Sequence, residues 1–453
     1  MADIIHRVNK YIAKQKRTVN NKFRLGYHMM PPCGWMNDPN GLVRFGGRYH
    51  LYYQYNPFDT HTGTMYWGHF ISDDLISYED AGVAIAPKEE YESIFSGGAI
   101  EDGGAITALY TLHYEQGDFQ KEEVYKAVSA DGTRFSDEVC AFDNNRLPAN
   151  LSRTDFRDPC PVKIGSKYYV FLGGKDVLLN RGVIIVLGGR SLDRLEYEFY
   201  LGPYPELGDM GECPSYFKVN GKDVIIASGC HVHERDNDFM NINASVFIVG
   251  KIDFEKGKMA VDFIKEIDKG DTFYAPQFVR GTDEPIMIGW LEMWNKPYPT
   301  RDMGHGWVGA FSVPRRLEYR DGDIFQHPVD GLKKYHSEVK DGEVPVCSDI
   351  TFNFEGEGRV EIIGDNGKVV ITNNGNVCLD TRLTNNSYGS IRRTNGSYEN
   401  CTVRVLLDTS SIETFVDGGR EVISSRIYIE GNYRIALDGK ISGLKINEIR
   451  RKI

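Results

Sequence analysis

Three acidic residues sit in local sequences unlike those of ordinary solvated carboxylates. Asp38 lies in Trp35-Met36-Asn37-Asp38-Pro39-Asn40-Gly41. Pro39 removes a backbone donor and biases Asp38 toward an extended conformation, while Asn40-Gly41 turns the chain. Asp158 lies in Phe156-Arg157-Asp158-Pro159, which repeats the Asp-Pro geometry and adds a cation that favours the ionised carboxylate. Glu212 stands in Gly211-Glu212-Cys213-Pro214, just before the apolar stretch Tyr216–Val219. Small and apolar neighbours favour a glutamate that keeps its proton to higher pH, as a general acid requires. Taken singly, each has an ordinary alternative: a surface turn, an exposed ion pair of little energetic weight, an edge-strand glutamate. Taken together, they offer what cleavage of a glycosidic bond needs, two carboxyl groups flanking the bond and a further group to hold the sugar.

The elements that must position them read as short strands. From about residue 25, runs such as Arg48–Tyr55, Lys167–Leu172, Val183–Leu187, Asp223–Ala227 and Ile286–Trp290 alternate with Gly, Asn and Asp turns, the signature of an all-β chain. Motifs bearing Pro or small residues recur near Asp38, Ser96, Asp158, Glu212 and Ala275, at separations of 58, 62, 54 and 63 residues. Several strands per interval of that length is what the blades of a five-bladed β-propeller require. A polar connector, Phe325–Glu338, precedes further alternating stretches at Arg359–Ile363, Lys368–Thr372, Thr402–Leu407 and Ile412–Val416, with a hairpin turn at Asp417-Gly418-Gly419. That length of short strands suits a β-sandwich. The expected organisation is an N-terminal helical extension over 1–21, a propeller over 22–325, a linker over 326–342 and a sandwich over 343–453.

At 453 residues the chain exceeds the usual size of a single core, in keeping with two domains. Its net charge of −11 argues against nucleic acid or an anionic membrane surface as the main partner. Residues 1–20 lack the apolar run of a secretory signal. Ile4, Ile5, Val8, Tyr11 and Ile12 recur instead at helical spacing among basic residues, an arrangement expected to pack on the chain's own domain. Eight scattered cysteines without a C-x-x-C pair fit reduced thiols in the cytoplasm. No residue pattern sets the oligomeric state, and a homodimer through an exposed sandwich edge stays open.

Trp35–Gly41, Arg157-Asp158-Pro159 and Glu212-Cys213 resemble, in order and spacing, the three signatures of glycoside hydrolase family 32, the invertase, sucrose-6-phosphate hydrolase and fructanase family. The likeness continues through Tyr52–Pro57, Trp67-Gly68-His69, Phe95-Ser96-Gly97, Phe273–Gln277, Gly289–Trp294 and Ser312–Leu317, and into Ser411–Gly419 and Ser424–Tyr428. It implies a five-bladed propeller followed by a sandwich. It also implies a retaining β-fructofuranosidase, with Asp38 as nucleophile, Glu212 as general acid/base and Asp158 as transition-state stabiliser. Asn37, Gln54, Trp67, Phe95, Ser96 and Arg157 are the substrate contacts that the resemblance suggests, and it calls for no metal or organic cofactor. The implied partner is a small sugar: sucrose, its 6-phosphate or a short fructan. Exo-hydrolysis of fructo-oligosaccharides, fructosyl transfer and silent sugar binding are the competing readings. Two positions depart from the family's habit. Thr62 and Gly211 stand where many members carry tryptophan, which predicts a leaving-group side stripped of two aromatic walls; Trp67, Tyr274, Trp290 and Trp307 are the candidate replacements.

Overall fold

The computed structural model describes residues 2–136, 138–339, 343–384 and 388–451; the end of the expected linker, 340–342, lies outside them. Strands make up 57% of the chain. Five antiparallel sheets succeed one another along the sequence and form a five-bladed β-propeller. Their innermost strands are Gly34–Phe45, Glu92–Asp102, Leu151–Ile164, Met210–Val219 and Tyr274–Phe278, one for each motif of the sequence rhythm. The propeller strands read from the sequence are present with small extensions, and Ile286–Trp290 has the bounds read from the sequence. The ring closes through a short strand, Trp307–Val308, that pairs in parallel with Gly34 and Trp35. The last strand of blade V runs Asp323–Pro328, past the expected boundary at 325. The expected linker is itself structured, because it supplies a 3₁₀ turn at Asp330–Tyr335 and a strand, His336–Glu338, that pairs with the C-terminal strand.

The C-terminal domain is sandwich-like. Its long strand Ser348–Ile363 serves two layers. Its first half pairs with Asn400–Asp408 and its second half with Lys368–Asn373, while Arg434–Ile449 runs along both with a register shift between Phe354 and Gly358. Alternate residues such as Ile350, Phe352, Val403 and Val405 fill the core, as period-two patterning requires. The N-terminal helix, Ala2–Gln15, buries Val8 and Ile12 against blade I, and Asn9 Oδ1 accepts from the Val83 amide at 2.9 Å.

A buried ionic seam joins the two domains. His28 lies between Asp408 (2.7 Å) and Glu413 (2.9 Å), and Arg315 pairs with Glu413 (2.5 Å) and Asp268 (2.9 Å). Burial works against a charge on His28, but the two carboxylates outweigh it and raise the imidazole to about 9.

Candidate active site

Each innermost strand is bulged within a four-residue unit, and aligning the units exposes the plan of the site. They are Met36-Asn37-Asp38-Pro39, Ile94-Phe95-Ser96-Gly97, Phe156-Arg157-Asp158-Pro159, Gly211-Glu212-Cys213-Pro214 and Phe273-Tyr274-Ala275-Pro276. Register shifts fall inside or at the edge of every one. A bulge inserts an unpaired residue and re-aims its side chain. Asp158, Cys213 and Ala275 adopt positive φ of 64°, 47° and 48°, a conformation uncommon outside glycine. Aligned on the Pro or Gly that follows, Cys213 falls with Asp38, Ser96 and Asp158, and Glu212 falls one position earlier, with Asn37, Phe95, Arg157 and Tyr274.

Contacts follow these two sets. In the first, Ser96 Oγ donates to Asp38 Oδ2 at 2.8 Å, and the Cys213 thiol lies 3.6 Å from Asp38 Oδ2 and 3.4 Å from Asp158 Oδ2. The Cys213 amide donates to Asp158 Oδ2 at 2.8 Å, and the Asp158 amide donates to Thr111 Oγ1 at 2.9 Å. Asp38 Oδ1 is buried without a hydrogen-bond partner among the described residues. In the second set, Arg157 Nη1 donates to Glu212 Oε1 at 3.3 Å and the Tyr274 hydroxyl to Glu212 Oε2 at 2.8 Å.

Asp38 and Asp158 are nearly buried, at 9% and 6% exposure. Burial, with the charge of Glu212 adding to it, raises Asp38 from 3.8 to about 6, and Ser96 offsets part of this. Burial and the neighbouring charges of Glu212 and Asp38 raise Asp158 as well. Arg157 loses by burial but is held charged by Glu122, Glu212 and Asp158. Glu122 is the main anchor of that guanidinium. It accepts from Nε at 3.2 Å, lies 2.9 Å from Nη2, and also accepts from the Phe156 amide at 3.1 Å. No local motif marks Glu122, or Tyr274 as a Glu212 partner; each contact joins residues 35 or more positions apart.

The carboxylates open onto a cavity of about 740 Å³, the size of a small-ligand site. Asn37, Gln54, Phe95, Ser96 and Arg157 line it with the three acids. Trp67 does not; it is fully buried, and its indole donates to the Phe95 carbonyl at 3.0 Å from behind the wall. Trp290 and Trp307 are likewise core residues. The aromatic walls are Phe95, stacked on His113 at 4.2 Å, together with Tyr91 and Trp294. Trp294 is held by Trp35 at 5.8 Å, and the Trp35 indole donates to Asn37 Oδ1 at 2.8 Å. Thr62 lines the cavity as expected, but Gly211 does not. A Cβ there would stand 2.8 Å from the Val183 carbonyl. Glycine at 211 therefore permits close packing of blades III and IV.

A propeller whose central strands converge buried carboxylates on one open cavity has the design of a glycosidase. The sequence matches the models of the glycosyl hydrolases family 32 N-terminal domain over residues 28–328 and C-terminal domain over 365–442. A sucrose-6-phosphate hydrolase of Escherichia coli is 30% identical, with 94% of this chain and 93% of that one covered. A raffinose invertase of the same organism is 29% identical over 90% of each. Among solved structures, a Bombyx mori beta-fructofuranosidase, a mutant in complex with sucrose, superposes with a TM-score of 0.88 at 28% identity, covering 99% of this chain and 98% of that one. The chain belongs to glycoside hydrolase family 32. Among the described residues no helix is long and apolar enough to cross a membrane.

Proposed function

We propose that this protein is a retaining β-fructofuranosidase that hydrolyses the terminal fructosyl bond of sucrose or sucrose 6-phosphate. The observation that carries the reading is the convergence of Asp38, Asp158 and Glu212 on one cavity of a family 32 propeller. Asp38 attacks the anomeric carbon, with Ser96 holding its Oδ2 in place. Glu212 delivers a proton to the departing oxygen, then takes one from the water that cleaves the fructosyl-enzyme. Asp158 binds ring hydroxyls and balances the oxocarbenium-like charge, and Arg157 and Tyr274 hold Glu212 in place. Asn37, Gln54, Phe95 and Ser96 form the rest of the fructose pocket. We place the enzyme in the cytoplasm because all eight cysteines are free thiols.

The test is fructose release from sucrose by wild type, Asp38→Asn and Glu212→Gln. Asp38→Asn is expected to abolish turnover on every substrate. Glu212→Gln is expected to lose on the order of 10²–10⁴-fold on sucrose and far less on a fructoside with an activated leaving group, which needs no proton. Equal losses on both substrates would overturn the assignment of the acid.

A further inference from the structure

Resting on the reading just given, we infer that the leaving-group side of the cavity selects neutral sugars and discriminates against a 6-phosphorylated glucose. A phosphate dianion is recognised by cations and free N–H donors. The cavity's cation, Arg157, already faces two carboxylates, Glu122 and Glu212. Glu90, Glu92 and Glu115 line its more exposed margin, next to Tyr91, and three further carboxylates occupy the floor. Among the described residues no lysine lines it.

Its two nitrogen bases are already engaged. The Arg157 guanidinium spends Nε and Nη2 on Glu122, with Nη2 also on the Thr154 carbonyl at 2.9 Å, and Nη1 on Glu212. His113 faces Glu122 with Nδ1 at 3.1 Å and Glu115 with Nε2 at 3.4 Å, and its ring lies flat on Phe95. Glu92 is likewise fixed, since it accepts from the Lys88 and Glu89 amides at 3.1 and 3.0 Å. A phosphate would have to compete with Glu122 and Glu212 for the Arg157 guanidinium while facing the margin acids. An uncharged pyranose meets instead aromatic faces and carboxylate acceptors for its hydroxyls, at Tyr91, Trp294, Glu90 and Glu115.

Two phosphate charges opposed by three carboxylates across roughly 10 Å of salt water lose on the order of 10-fold in productive binding. The experiment measures kcat/KM of the full-length enzyme on sucrose and on sucrose 6-phosphate at low and physiological ionic strength. It repeats the comparison with Glu90→Lys/Glu115→Lys, two exposed positions where lysine is compatible with the fold. Expected are a preference for sucrose of about 10-fold, narrowing as salt screens the margin, and a shift of the ratio toward the phosphate in the double variant. Equal or greater efficiency on the 6-phosphate in wild type would overturn the inference while leaving the fructosidase reading intact. So would a ratio unmoved by the double variant. Hydrolysis of neither substrate would instead remove the fructosidase reading and this inference with it.

Discussion

The substitution Asp38→Asn should gain stability relative to wild type as pH rises to neutral, even as it removes activity, and the two effects share one cause. Asp38 is 9% exposed, and burial with the nearby charge of Glu212 raises its carboxyl from 3.8 to about 6. A shift of about two units at about 1.4 kcal/mol each is a difference of ~3 kcal/mol. Because the folded value lies above the unfolded one, the associated stability is fully present below about pH 4 and is lost as pH rises through about 6. Wild type thus bears the cost of a buried carboxylate at pH 8, and asparagine does not. With a transition entropy of about 2.1 cal/mol/K per residue, a chain of this length gains about 3 °C in Tm from ~3 kcal/mol.

The informative quantity is the change in the gap between variant and wild type, since an amide nitrogen left without a partner adds a penalty of about 1–3 kcal/mol at every pH. Scanning calorimetry of both proteins between about pH 4 and pH 8 should show the variant gaining about 3 °C on wild type across that interval. The same ionisation sets the acid limb of kcat/KM, which should fall below pH near 6 in wild type. A gap that does not change with pH would refute the reasoning, and so would an acid limb near pH 4.

Glu122→Ala should cost about 3 kcal/mol in stability, because it removes a buried carboxylate that pairs with Arg157 and accepts from the buried Phe156 amide. It should also lower kcat more than it raises KM, as Arg157 loses its grip on Glu212; steady-state kinetics with thermal melts would check both. His28→Gln should destabilise the seam between propeller and sandwich by about 3 kcal/mol below pH 6.5. The raised imidazole stabilises the protein fully below its unfolded value and loses that contribution as pH approaches about 9. The difference in Tm between the two proteins should therefore shrink between about pH 6.5 and 9.

Much of this was legible in the sequence, for reasons that differ between fold and site. Strands such as Ile286–Trp290, an apolar run, and Thr402–Leu407, an alternating stretch, lie between turn residues, a local property. The three acids were legible only together, through their order, spacing and company, because each local unit alone reads as an ordinary turn, ion pair or edge-strand glutamate. The aromatic walls were not. Trp67 sits on a strand beside the cavity, yet one strand position decides whether an indole faces the sugar or the wall behind it, and Trp67 faces the wall. Trp294 was passed over because it lies beyond the end of a strand, where alternation no longer predicts direction. Glu122 reads as one charge among many in Phe119–Ser129; only the docking of blade II on blade III makes it Arg157's anchor. Gly211 misled because comparison with relatives describes what a position carries elsewhere, and here the backbone approach to Val183 leaves no room for a side chain.

The five bulged units separate what the fold needs from what the chemistry needs. Ala275 repeats the conformation of Asp158 and Cys213, with positive φ before a proline, but carries no functional group. Strain at that position cannot be explained by catalysis alone; it belongs to turning the innermost strands of blades III, IV and V. Five equivalent units make two sets of neighbouring side chains, and the chemistry occupies only some places in each. Asp38, Ser96, Asp158 and Cys213 share one carboxylate cluster, while Arg157, Glu212 and Tyr274 form one hydrogen-bonded chain. The scaffold thus supplies convergence at every blade, and the side chains at Asp38, Asp158 and Glu212 convert it into a site.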